Sequence, residues 1–194
     1  MFYLVTVISA AMLIAIIEFL TVGVYSLSAF GESLLLTAIA VAAVFVIDAI
    51  AAFVTRRLPS KWFLPDAKVF AVGKREKNFY RKTKINNWKK YIPEWGCFTG
   101  FHKDKMLSPE DSEYVGRFLL ESNYGVAGHV AGALLGFLIL LIPSLPTLTV
   151  ALPVAVVNMI LSILPTMILR FNTPALRRLY RRNLEREKAH ADNK

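Results

Sequence analysis

Two stretches of this chain stay apolar for longer than a soluble core requires. Residues 2–27 and 34–54 are broken only by Glu18 and Asp48 respectively. A hydrocarbon core of roughly 30 Å is crossed by about 20 such residues as a helix. The region from 126 to 169 has room for two further crossings, at 126–142 and about 151–169, joined by PSLPTLT. In lipid the backbone must satisfy its own polar groups, which favours helices. The expected class is therefore an all-α integral membrane protein of about four transmembrane helices, and the hydrophobic share of 55% agrees.

Between the hairpins lies a basic cytoplasmic insert, and the expected divisions follow. They are a first hairpin at 1–57, a basic aromatic insert with an interfacial helix at 58–120, a second hairpin at 121–172 and a basic tail at 173–194. SAFGES reads as the turn inside the first hairpin, with Glu32 or Ser33 capping the next helix. The run Thr55-Arg56-Arg57-Leu58-Pro59 reads as a stop. Ser108-Pro109-Glu110-Asp111 reads as a helix start with serine as the cap. Asn123-Tyr124-Gly125 carries turn chemistry, so the interfacial helix is expected to end there and fold back. Pro143, Pro146, Pro153 and Pro165 predict broken or kinked helices in the second hairpin. Gly125, Gly128, Gly132 and Gly136 form a small-residue stripe suited to close helix packing.

The formal net charge is +9, and the insert and tail carry nearly all 23 Lys and Arg. The positive-inside rule then places insert, tail and N-terminus in the cytoplasm. Basic residues interleaved with Trp and Tyr suit anionic headgroups at a membrane boundary, a simpler account than nucleic acid. The N-terminal run lacks a basic n-region and reads as a retained span rather than a cleaved signal, the alternative being cleavage near Ser28–Ala29. The single cysteine, Cys97, excludes an intramolecular disulfide. With His102 alone nearby it offers too few ligands for zinc, so no metal is expected.

Ionisable residues inside spans are costly and are functional until shown otherwise. Asp48 lies roughly 12 Å inside the second span at 1.5 Å per residue, and His129 a few residues inside the third. The bland alternative is a pair that only locks helices. Glu121 precedes His129 by eight positions. A fold-back at 123–125 would bring its carboxylate to the imidazole, the usual support for a histidine base. Arg170 either snorkels to headgroups or grips a phosphate or carboxylate bidentately. Asn158 reads as a helix–helix hydrogen bond.

Three segments together resemble the glycosyl-4,4′-diaponeurosporenoate acyltransferase family. They are KNFYRKTKINNWKKYIPEWG, the Glu121/His129 pair before an apolar run, and NMILSILPTMILRFNTPALRRL. The family shares, in this order, a tyrosine/lysine segment ending in Trp-Lys, here within Tyr80 to Pro93, an E-x7-H pair and an R-[YF]-N-x-P-x-L signature. The last falls on Arg170, Phe171, Asn172, Pro174 and Leu176, and the likeness covers roughly residues 58 to 182.

The resemblance implies a bacterial cell-membrane enzyme that esterifies a lipid or glycolipid hydroxyl, in the family a sugar hydroxyl of a glycosylated carotenoid, with a fatty acyl chain. His129 would be the base and Glu121 its orienting carboxylate. Arg170 and Asn172 would hold a polar head; Asp48, outside the likeness, is expected to assist substrate binding because of its place inside a span. Arg81, Lys82, Lys84, Trp88, Lys89 and Lys90 would meet the phosphates of acyl-CoA or an acidic acyl carrier protein. These donors are substrates, and no cofactor is implied. Partners would be membrane lipids and the acyl donor, with no nucleic acid, and self-assembly stays open. The glycine stripe and broken spans would leave room for a lipid tail. A second class, a non-enzymatic lipid- or partner-binding subunit, is the alternative.

Overall fold

The computed structural model describes residues 2–92, 106 and 108–192, and among these the chain is helical with no strand. Cys97, His102 and the Trp95 and Pro93 end of the insert motif lie outside the described residues. Among the described residues six α-helices follow one another: α1 (Phe2–Val22), α2 (Leu27–Arg57), α3 (Lys74–Lys82), α4 (Ile85–Trp88), α5 (Ser112–Leu135) and α6 (Leu152–Asp192). Four helical stretches among the described residues are long and apolar enough to cross a bilayer: Leu4–Val22, Leu27–Arg57, Ser112–Leu141 and Thr147–Asp192. Large apolar side chains such as Leu4, Ile8, Leu13, Phe45 and Phe53 are about half exposed on α1 and α2, as expected where lipid replaces water as the solvent. This is a membrane protein.

The chain divides into two compact units, one of Met1–Arg56 with Gly128–Leu164 and one of Arg57–Ala127 with Pro165–Lys194. In the first, α1 and α2 meet at a tighter and earlier turn than SAFGES. Gly23 takes φ +74, a conformation that glycine adopts without steric cost. Ser26 rather than Glu32 or Ser33 caps α2, its Oγ accepting the Ala29 amide at 3.1 Å, and SAFGES lies inside the helix. Ile14 of α1, Ala40 and Val44 of α2, and Val150, Ala151 and Val154 form the unit's core. Pro146 leaves its carbonyl shared by the amides of Val150 and Ala151, both at 3.0 Å. A π-helical turn, Thr147–Ala151, results before α6 begins.

In the second unit the cap of α5 is Asp111, not Ser108. Asp111 Oδ1 accepts from the amides of Glu113 and Tyr114 at 2.8 and 3.3 Å. Glu187 of α6 takes the Ser112 amide and hydroxyl at 3.1 and 2.6 Å. Two carboxylates thus satisfy amides that a helix N-terminus leaves open and that favour negative charge.

The expected break at 123–125 does not form: α5 runs unbroken from Ser112 to Leu135. The turn-forming side chains are occupied elsewhere. Asn123 donates to the carbonyls of Phe63 and Leu64 at 2.9 and 3.3 Å. Tyr124 donates to the Leu58 carbonyl at 3.0 Å and stacks on Phe63 with centroids 4.0 Å apart. These groups anchor the chain leaving α2, so they do not compete with their own helix backbone.

The expected proline sites divide: the second hairpin is interrupted before Pro143 and after Pro146, by the 3-10 stretch Gly136–Leu141 and the π-helical turn, but no break forms at Pro153 or Pro165. Pro153 occupies the first turn of α6, where its missing N–H costs nothing, and α6 continues through Pro165 and Pro174.

Candidate active site

In the first unit, polar side chains gather inside the apolar helices. Asn158 Nδ2 of α6 donates to Asp48 Oδ1 of α2 at 3.3 Å and to the Gly132 carbonyl of α5 at 3.4 Å. One carboxamide therefore ties three helices, the role expected for Asn158. The glycines make this approach feasible. A methyl on Gly132 would sit 2.6 Å from Asp48 Oδ1, and one on Gly136 2.6 Å from Asn158 Nδ2. At Gly132 and Gly136 the stripe is thus taken up by helix packing. An apolar crevice of about 30 Å³ does open beside Asn158, lined by residues of α1, α2 and α6 including Val7, Ile14 and Val44.

His129 is half-buried in this unit. Its depth can be read from its neighbours on α5. A Cβ on Gly128 would lie 3.9 Å from Ala52 Cα, while Gly132 faces Asp48. The imidazole therefore stands level with the helical turn of α2 that begins at Asp48. Among the described residues no hydrogen bond or ion pair joins Asp48 to His129. Glu121, also half-buried, lies eight residues earlier on the unbroken α5. That is about 12 Å of helix rise. The fold-back that would have joined Glu121 to His129 is absent, and the carboxylate at the level of the histidine is Asp48.

The second unit holds a denser cluster. Arg170 of α6 forks onto Glu76 of α3, Nε to Oε1 at 2.5 Å and Nη2 to Oε2 at 2.8 Å, and Nη2 also reaches the Ala71 carbonyl at 3.3 Å. Tyr80, one turn along α3, donates its hydroxyl to Glu76 Oε1 at 2.5 Å and packs edge-on against Phe171. The Arg170 hydrogen bonds hold the Glu76 carboxyl below the usual carboxylate range, against the opposing effect of burial and with help from Tyr80. Burial first, then the Glu76 carboxylate, pushes the Tyr80 phenol up. The bidentate partner expected for Arg170 in a substrate head is thus, in this structure, Glu76. Glu76 went unremarked in the sequence, although it is the sole acid in KREKNFYRK and stands i−4 from Tyr80, on the same face of α3.

The remaining expected residues divide by exposure. Arg81, Lys82, Lys84 and Lys90 are exposed, and Asn172 is half-buried. Trp88 turns inward, donating Nε1 to the Thr83 carbonyl at 3.0 Å. Lys89 Nζ sits 5.3 Å from the Phe171 ring centroid, within cation–π range. Lys84 takes a left-handed conformation at φ 49 between α3 and α4.

The family model described as glycosyl-4,4′-diaponeurosporenoate acyltransferase matches residues 59–182, more than half of the chain. The chain belongs to this family. It is an acyltransferase, and the reading as a non-enzymatic binding subunit falls away. No curated protein and no solved structure matches it. The matched interval of the acyltransferase contains Glu76, Tyr80, Glu121, His129, Arg170 and Asn172, whereas Asp48 precedes it.

Proposed function

We propose that this acyltransferase moves a fatty acyl group from an activated donor to a hydroxyl of a lipid or glycolipid. The donor would be acyl-CoA or an acyl carrier protein, and carotenoid glycosides are the acceptor class indicated by the family. The reaction would run at the cytoplasmic face of a bacterial cell membrane, with both termini inside, an orientation supported by the placement of the basic residues. The observation that carries the reading is the family match over 59–182, with the matched histidine held half-buried within a membrane helix.

In this mechanism neutral His129 accepts the proton of the acceptor hydroxyl as its oxygen attacks the acyl carbonyl. The C–O ester bond forms, the bond from the carbonyl to the donor's sulfur breaks, and the imidazolium returns the proton to the departing thiolate. Asp48, steadied by Asn158, is the carboxylate that would stabilise the imidazolium. Glu121 would meet the acceptor's polar part rather than orient His129, because eight residues of continuous helix part the two. Arg81, Lys82, Lys84, Trp88, Lys89 and Lys90 would face the donor's acidic portion, an electrostatic attraction that weakens with salt. Arg170 would act on substrate through the placement of α3, and Asn172 through direct contact with a polar head.

Purified protein supplied with labelled acyl-CoA or acyl carrier protein and a membrane lipid extract tests this. Label should appear in an ester-linked lipid. Intact donor with every carrier and extract tried would reject the proposal.

A further inference from the structure

Beyond the residues assigned above, the second unit contains an arginine-lined recess. An open cavity of about 250 Å³ is walled by Thr173, Arg177, Arg178 and Arg181 of α6 and by Ala71 and Val72. Thr173, Arg177 and Arg181 recur every four residues and so share one face of α6, with Arg178 on its flank. One water needs only about 10–15 Å³, so the recess admits a larger group. Its charge is poorly balanced. Arg181 pairs with Asp66 at 3.0 Å, both well exposed. Arg177 gives Nη2 to the Ala67 carbonyl at 2.8 Å, a neutral acceptor. Arg177 Nε is sealed from solvent with no acceptor among the described residues, a costly state for a charged donor. Arg178 is exposed.

We infer that this recess binds a phosphate group. Planar guanidinium forks match phosphate oxygens two at a time, and the Thr173 residue adds a hydroxyl to the wall, although that hydroxyl also donates to the Leu169 carbonyl at 2.9 Å. An anion would offset the charges of Arg177 and Arg178 that remain once Arg181 pairs with Asp66. Hydrogen bonds from Arg177 and Arg181 to Ala67 and Asp66 already hold the segment that faces α6. The wall is therefore formed in advance, unlike the exposed lysines of the insert. The phosphate could belong to a soluble donor or to a lipid headgroup, and the chemistry of recognition is the same. The inference concerns binding alone and does not rest on the assignment of His129.

The test uses the full chain in phosphatidylcholine nanodiscs, titrated with inorganic pyrophosphate and, separately, with coenzyme A. Saturable binding is expected, weakened about tenfold or more by Arg177→Gln and by Arg178→Gln. The second variant guards against misfolding, because Arg178 is exposed. Arg182→Gln removes the same charge from α6 outside the recess and should change affinity by less than about twofold. Replacing part of the lipid with phosphatidylglycerol separates the sources: competition assigns the recess to headgroups, and unchanged binding assigns it to a soluble phosphate. Absence of saturable binding by either probe in both lipids, or equal weakening by Arg182→Gln, would overturn the inference.

Discussion

Glu76 shows how much one side chain can organise. It joins α3 to α6 through Arg170 and orders Tyr80 in the same contact. Its carboxyl is held below the ordinary value of 4.5, chiefly by the Arg170 hydrogen bonds. A lowered folded value means stabilisation that is complete above the unfolded value and is lost as pH falls through the folded one. Thermal unfolding in detergent between pH 7 and pH 3 should therefore show wild-type stability declining once the pH drops below about 4.5. Glu76→Gln should lose about 1–3 kcal/mol at pH 7 and should lack that part of the acid decline. Equal slopes in the two proteins would deny Glu76 this role. The residue was hard to see in advance because a lone acid among lysines and arginines reads as a solvated face, and only the fold brings Arg170, 94 positions away, against it.

At the scale of elements, composition told more about existence than about ends. Four spans were legible because uninterrupted apolar length is a property of the chain itself. The boundaries were not, because capping and turn residues compete for the same chemistry. Ser26 and Asp111 are the caps, although Ser33 and Ser108 offer the same capping chemistry. Asn123 and Tyr124 look like a turn until the carbonyls of Leu58, Phe63 and Leu64 claim them.

Two predictions belong to this scale. Asp111→Ala should destabilise the folded protein by about 1 kcal/mol, read as a lowered melting midpoint in detergent, and Asp111→Asn should restore most of it. Gly132→Val should cost about 1–3 kcal/mol through overpacking. The added carbons fall where Asp48 Oδ1 stands. Denaturation that matches wild type would show that α5 and α2 do not meet there.

For the whole molecule, the division of labour follows membrane physics. The first unit packs apolar helices around the Asp48–Asn158 contact, and the second gathers the charged contacts of Glu76, Arg170, Arg177 and Glu187. The spacing of Glu121 and His129 is legible in the sequence, but whether the two meet is not, since spacing along the chain says nothing of whether a helix bends. The proposed orientation can be checked directly. In a Cys97→Ser background, Ser26→Cys and Ser144→Cys, both in the exposed short links, should react with an impermeant maleimide added outside intact cells. A cysteine at Asp192 should react only after lysis, and the reverse pattern would invert the topology.

The most direct measurement of the central claim is acyl transfer by His129→Ala in nanodiscs, using the labelled donor that serves the wild type. A histidine base contributes about 10² to 10⁴ in rate, so the variant should lose activity by that factor while its melting midpoint and its pyrophosphate binding stay close to wild type. Turnover within a few fold of wild type would contradict the claim that this imidazole moves the proton.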